Sequence, residues 1–367
     1  MAVILPLEHG YARHILRGIV RYARTVSQSD WHIQHILPYP ARRIHGTVAD
    51  GVIASIHNEA VAEAIAELGR PAVNVSDARD VSAWPKVVWD NLEAGRIAAR
   101  HLVELGHRRF VVVGDGEAQF ARRRHRGFCE VLAEHGIAAP ALRRRPSAAW
   151  LRRIDKPAAI FAVSDQDGEQ AMEACRAEGV GIPRQVAVVA VNDDDLFCEL
   201  TSPSLSSIAV PGETTGFTAA RVLDDLFAGR AVPPETTVHP LRLVARRSSE
   251  LFATDDSLVL EAMELIRDRV GEPFNVSDLA RHMDVDRRTL ERRFRAALAR
   301  SPLDTIHEYR LKRARQLLET TTMPLDDIAE QSGYANASRL VEAFRRRYNE
   351  TPGSIRRSVG TRGAAYA

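Results

Sequence analysis

The apolar residues of this chain change their spacing once, near residue 250, and that change excludes a single uniform fold. Before it, short apolar runs alternate with amphipathic stretches of helical period. Val3–Leu7 leads into Tyr11–Arg24, Gly51–Ser55 into Glu59–Leu68, Val87–Trp89 into Leu92–Leu105, and Phe110–Val113 into Arg124–His135. Ala158–Val163 then leads into Gly168–Glu178, with Ala72–Val75 and Val186–Val191 as further runs. Short buried strands alternating with helices predict an α/β architecture of parallel sheets with helices on both faces. About nine strands are more than one tidy sheet holds, so two lobes are expected, with Gly106 and the Ser206–Ser207 pair as candidate crossings between them.

Beyond residue 256 the strand signals stop. Helices are expected at Ser257–Val270, Val276–His282, Arg287–Leu298, Pro302–Leu318, Leu325–Gln331 and Ala337–Tyr348, with a short one near Ser354. Ser277 and Asp278 mark one start, Pro302 suits a first turn, and Asn336 suits a cap. The expected organisation is a two-lobed α/β unit over 1–248, a polar join over 249–256, an all-α domain over 257–358 and a frayed tail over 359–367.

Several function classes are disfavoured by what the chain lacks. Cys129, Cys175 and Cys198 form no CxxC or zinc pattern and no disulfide framework, which points to a reducing cytoplasm. The first residues have neither a basic n-region nor a cleavage site, and no run of membrane-spanning length follows, so export and a membrane partner are not expected. There is no Ser/His/Asp arrangement, phosphate loop or HExxH, and the cysteines lie in apparent helices without an activating His motif. No enzyme activity, cofactor or metal is therefore expected. His9, His57, His107 and His125 lack ligand spacing and read as surface or hinge residues, and Asp193–Asp195 reads as a capping run before a helix. Residues 257–367 hold 20 Arg and Lys against 16 Asp and Glu, which leaves the front part slightly acidic. A basic rear domain is compatible with a nucleic-acid partner.

Within the helical part, Leu325, Ile328 and Ala329 share one face of a short helix, Gly333 suits a sharp turn, and Tyr334 can plug the joint. The next helix places Leu340, Val341 and Phe344 inward and Ser338, Arg339, Glu342, Arg345 and Arg346 outward. Such a helix can lie in the major groove with its first turns at base edges. An earlier unit repeats the logic: Val276, Leu279 and Ala280 face inward, Met283–Val285 turns, and Leu290 and Phe294 anchor a helix that exposes Arg287, Arg288, Glu291, Arg292 and Arg295. A connecting helix with Ile306, Tyr309, Leu311, Ala314, Leu317 and Leu318 on its apolar face spans roughly 25 Å. That length lets two reading helices enter major-groove segments about 34 Å apart.

Ile328, Ala329, Gly333, Tyr334, Ser338, Leu340, Phe344, Arg345, Arg346, Tyr348, Thr351 and Pro352 together meet a long pattern, by which residues 257–357 resemble the DNA-binding domain of the AraC/XylS family. Asn349–Glu350 depart from it at a turn where glycine is frequent. The resemblance implies double-stranded DNA as partner, with Arg288, Glu291 and Arg292 of the first unit and Ser338, Arg339 and Glu342 of the second at base edges. Arginine can fork onto guanine and glutamate can accept from cytosine.

In the front part, His101–Gly114, Arg124 with Gly127–Phe128, Ser164–Asp165 and the polar end of Val186–Asp195 fall in an order that resembles the periplasmic-binding-protein-like sensor of the lac repressor family. Such sensors hold a small effector between two lobes, at the carboxyl ends of parallel strands. The residues at such ends are Glu8, Asp90, Arg124, Asp165, Asn192 and Asp193; the resemblance favours Asp90, Arg124 and the 192–193 pair. Tyr11, Phe120 and Trp89 are candidates for stacking on a sugar ring. The family usually has Asp where Asn192 stands, often followed by Asn, and the exchanged order leaves the effector open. Sensor first and reader last resembles the layout of xylose-responsive AraC-family activators. That implies a pentose such as xylose, a homodimer, and contact with RNA polymerase; a non-sugar effector or action as a repressor are the alternatives.

Overall fold

The computed structural model describes residues 1–27, 30–79, 83–144, 148–239 and 241–356, so the expected tail over 359–367 lies outside the described residues. The chain divides into two compact units, Met1–Glu250 and Leu251–Ala367.

The described residues of the first unit form two six-stranded sheets. One comprises Ala2–Ile4 (β1), Gln34–Ile36 (β2), Val52–Ala54 (β3), Ala72–Asn74 (β4), Lys86–Trp89 (β5) and Glu235–Val238 (β11), in the order β11-β5-β4-β3-β1-β2. Its pairs are all parallel, with Ile4 beside both Ile36 and Ala54. The other comprises Phe110–Val113 (β6), Leu142–Arg143 (β7), Ala158–Ala162 (β8), Val186–Asn192 (β9), Ser206–Ala209 (β10) and Arg242–Val244 (β12), in the order β12-β10-β9-β8-β6-β7. Only β12 runs antiparallel to its neighbour. Central strands such as β3 and β8 are buried at every residue because helices cover both faces. The four edge strands, β2, β7, β11 and β12, are partly exposed and have no continuous apolar run, which is why the apolar pattern does not reveal them.

Gly10–Thr25 (α1), Glu59–Glu67 (α2) and Gly212–Phe227 (α8) pack with the first sheet. Asn91–Glu104 (α3), Gln119–Glu134 (α4), Ala148–Arg153 (α5), Asp165–Ala177 (α6) and Asp195–Leu200 (α7) belong with the second. The chain passes between lobes from β5 to α3, from β10 to α8, and from β11 to β12. The expected crossings at Gly106 and Ser206–Ser207 are thus corrected. Gly106, with φ of +90°, only turns α3 back into β6 of the same lobe. Ser206 and Ser207 are buried within β10, where the Ser248 hydroxyl accepts from the Ser206 backbone N–H and donates to the Val188 carbonyl.

Contact between α3 and α4 depends on two glycines. A Cβ at Gly95 would lie 1.9 Å from the Arg124 carbonyl oxygen, and one at Gly127 would lie 1.9 Å from that of Leu92. Only bare backbone allows the two helices to approach so closely, and the approach sets Arg124 beside the start of α3.

In the second unit the helices are Ser257–Asp268 (α9), Val276–His282 (α10), Arg287–Leu298 (α11), Pro302–Thr320 (α12), Leu325–Gln331 (α13) and Ala337–Tyr348 (α14), and residues 352–356 are helical as well. The second helix has its expected bounds, but its cap is Asn275, in a reciprocal box with Asp278, and Ser277 and Asp278 lie inside the first turn. Pro302 and Asn336 occupy a first turn and a cap. Leu290 and Phe294 are buried in α11, Leu340 and Phe344 in α14, whereas Val341 is only half-buried. The expected polar join is not free chain. Ser249 is buried in the first unit, bonded to His101 and Ser206, and Phe252 is buried in the second, with the Arg300 guanidinium 4.1 Å from its ring centroid. Among the described residues, no helix is long and apolar enough to cross a membrane.

Candidate effector cleft and nucleic-acid interface

Strand-end loops of both lobes of the first unit enclose a cleft of about 450 Å³, counted out to its open side. Tyr11, Ser55, Ser76, Asp77, Trp89 and Asn91 line it from the first sheet and the crossing after β5, and Phe120, Arg124 and Asn192 from the second lobe. The Asn74 side-chain oxygen accepts from the backbones of Ile56 and Ser76, which fixes the two loops that carry Ser55 and Asp77.

Arg124 is the centre of the polar wall. It is 2% exposed; its Nε donates to Asn91 Oδ1 at 2.8 Å, its Nη1 to the Val163 carbonyl, and its Nη2 to Asn192 Oδ1 at 3.3 Å. The Phe120 ring lies under the guanidinium at 4.9 Å. Burial draws its pKa down to about 10, so it keeps its charge at neutral pH. Asn91 accepts from the Trp89 indole at 3.0 Å and donates to Asp77 at 2.9 Å. Asp77 is buried and also pairs with Lys86 and Arg123, each at 3.2 Å. The apolar side is aromatic: Tyr11 meets Trp89 edge to face at 5.8 Å and stacks on His9 at 5.6 Å. Burial pushes the Tyr11 hydroxyl up to about 12, so it remains a donor.

Of the expected ligand residues, Tyr11, Phe120, Arg124 and Asn192 line this cleft, as does Trp89. The others are placed differently, which corrects the expectation. Glu8 is exposed and faces His9 at 3.9 Å. Asp90 caps α3 by accepting from the Glu93 N–H, and the next residue, Asn91, faces the cleft instead. Asp165 is buried behind the wall, accepting from the Ser207 hydroxyl and the Asp194 N–H, and burial raises its carboxyl to about 7. Asp193 pairs with Arg246 at 2.7 Å. Asp77, Asn91, Ser55 and Ser76 escape a sequence reading, although Asp77 follows β4 closely enough for the strand-end rule to have found it.

Asn192 has φ of +126° and Asp193 +52°, conformations uncommon for residues with a Cβ. This strained corner turns the Asn192 amide toward Arg124. As expected of a run before a helix, Asp194 stands at the N-cap position of α7 and Asp195 in its first turn. The Asp194 side chain makes no cap bond and instead accepts from the Gly10 N–H at 2.7 Å and from Arg13, tying the second lobe to the N-terminus of α1. Among the described residues no group of three or more His, Cys, Asp or Glu could hold a metal ion.

Two further expectations are revised. His107 is a core residue, not a surface or hinge one, and burial lowers its pKa to about 4. Cys129 does have a histidine beside it, His125 at 3.3 Å. Yet His125 Nε2 also lies 2.7 Å from the Pro140 carbonyl, which can only accept, so that nitrogen carries the proton and cannot act as a base. Burial pushes the Cys129 thiol up, away from thiolate character.

In the second unit, Arg288, Arg292, Ser338, Arg339 and Glu342 are exposed on the first turns of α11 and α14. Glu291 is half-buried and pairs with Arg287 at 2.8 Å; Arg339 and Glu342 approach to 3.4 Å. Such exposed pairs hold their partners weakly, which leaves the side chains free to exchange them for bases.

Comparison with known proteins agrees with this architecture. Residues 99–249 match the family model described as a periplasmic binding protein-like domain, and 279–358 match the one described as a helix-turn-helix domain. The chain is 27% identical to the xylose operon regulatory protein of Escherichia coli strain K12, over 97% of this chain and 96% of that one. It is 25% identical to the protein of the same name from Haemophilus influenzae, over 97% of each. A solved structure described as the xylose-binding transcription activator xylR shares the fold, with a TM-score of 0.67, 24% identity and 97% of each chain covered. These relatives are regulators of transcription and not enzymes.

Proposed function

We propose, for a chain that is an AraC-type transcription regulator with a periplasmic-binding-protein-like sensor, that its effector is a pentose sugar, xylose first among them. The observation that carries this reading is the cleft itself. Arg124, Asn91 and Asp77 form one hydrogen-bonded wall to which the Trp89 indole is bonded, with Tyr11 against Trp89 and Phe120 beneath the guanidinium. Planar amide, carboxylate and guanidinium groups can each engage two adjacent hydroxyls, while aromatic faces cover the C–H side of a sugar ring.

Sugar binding draws the lobes together and favours one arrangement of a homodimer, in which the reading helices engage their half-sites and recruit RNA polymerase as an activator. The coupling equals the difference in sugar affinity between the two arrangements. Arg288, Glu291, Arg292, Ser338, Arg339 and Glu342 read the bases. Titration calorimetry with D-xylose, L-arabinose, D-ribose and D-glucose tests the sensor: saturable heat with xylose strongest is expected. No heat with any pentose, or tighter binding of a non-sugar acid, overturns it. A promoter-fused reporter that falls on adding xylose overturns activation.

A further inference from the structure

The loop that leads from α9 into the first helix-turn-helix unit meets the second unit backbone to backbone, in addition to the helix that joins the two units. In the turn after α9, a Cβ at Gly271 would lie 2.8 Å from the Gln331 carbonyl oxygen at the end of α13. At Gly333, whose φ is +73°, a Cβ would lie 2.5 Å from the Val270 carbonyl oxygen and 2.6 Å from Arg310 Nε. Each glycine thus faces the opposite unit with no side chain between. Arg310, on α12, is driven into this seam. Its Nη2 donates to the carbonyls of Glu272 at 3.1 Å and Phe274 at 3.0 Å, and its guanidinium covers the Phe274 ring at 5.5 Å. One arginine therefore bonds the connecting helix to the loop before the first unit and packs against the turn of the second.

We infer that Arg310, Gly271 and Gly333 lock the two reading helices into a rigid fork, so that this domain accepts one spacing between its two DNA subsites. The inference rests on the DNA-binding reading of the domain. A single base-pair insertion moves one subsite by about 3.4 Å and turns it by about 35° around the duplex axis. Two readers on a hinged tether would follow that displacement by bending at the ends of α12. Closely packed backbone cannot, because a packed seam has discrete arrangements and does not deform continuously.

The full chain tests this with a duplex selected from a random library. One-base-pair insertions and deletions are made between the subsites, and a control duplex has the second subsite scrambled. The wild-type protein is expected to lose about tenfold or more in affinity on either spacing change. Arg310→Met removes the ties while keeping an apolar stem, and Gly271→Val wedges the seam from an exposed loop. Both variants are expected to bind the selected duplex several-fold more weakly, to match the wild type on the scrambled control, and to show a spacing penalty reduced to about threefold or less. A wild type indifferent to spacing overturns the inference, as does a variant pair that keeps the full penalty. An equal loss on every duplex, scrambled control included, would mark a purely structural role and overturn it too. Failure to select any duplex would overturn the DNA-binding reading and this inference with it.

Discussion

In the first unit Arg124 is 2% exposed and donates to three partners on three different segments, while in the second unit Arg288, Arg292 and Arg339 extend into water from single helices. The contrast follows from what each surface meets. A small sugar supplies few contacts, so the cleft must be organised in advance, with its polar groups already bonded to one another. DNA supplies a large charged surface, which suits a reader whose arginines are exposed and at most weakly paired with neighbours on the same helix. Function and stability are therefore coupled in the cleft and separable in the reader.

The largest test of that contrast is Arg124→Met. It leaves the Val163 carbonyl and part of the Asn91 amide without their buried donor, so the front unit should lose about 1–3 kcal/mol for each acceptor left unsatisfied and sugar binding should vanish in calorimetry. A variant that keeps its thermal transition would break the coupling. Gly95→Val comes next: its side chain must displace the Arg124 carbonyl, at a cost of about 1–3 kcal/mol. Scanning calorimetry should show the front transition lowered and sugar affinity weakened, with operator binding by the rear unit intact. Arg339→Ala acts in the opposite sense. Operator affinity should fall by about 1–3 kcal/mol with relaxed preference at one base pair, while thermal stability stays within about 0.5 kcal/mol. A mobility-shift series alongside a melting curve checks both halves.

A smaller effect comes from Asp165. Its carboxyl has a folded-state pKa near 7, above its ordinary value of 3.8. The folded state thus holds its proton more tightly than the unfolded state does. The contribution to stability is complete below pH 4 and is lost as pH rises through 7. Asp165→Asn should gain on the wild type in melting temperature between pH 5 and pH 8. A difference that is flat over that window would count against a buried, protonated Asp165.

The second unit was almost fully legible in the sequence because a helix declares itself within its own few turns. The spacing of Leu290 and Phe294, and of Leu340 and Phe344, places α11 and α14 at their observed limits, and the exposed side chains follow from the same period. The resemblance to AraC-type readers adds which of those side chains are expected at base edges. In the first unit the central strands were legible for a similar reason, as each is buried on both faces and therefore apolar along its whole length. The polar edge strands were not, and neither was the point where each lobe begins.

The cleft marks the limit most clearly. Its position at the strand ends, and Tyr11, Phe120, Arg124 and Asn192 within it, were all readable from the chain. Tertiary structure alone decided that Asn91 and not Asp90 faces the cleft, that Asp77 joins the wall, and that Asp165 and Asp193 are consumed by Ser207 and Arg246. Adjacent residues at a helix start point in different directions, and which one reaches the cleft depends on how closely α3 and α4 approach. That approach is set by Gly95 and Gly127 against the carbonyls of Arg124 and Leu92. Local periodicity carries the elements of this protein, whereas contacts between residues distant in the chain determine which of their polar side chains are left to bind.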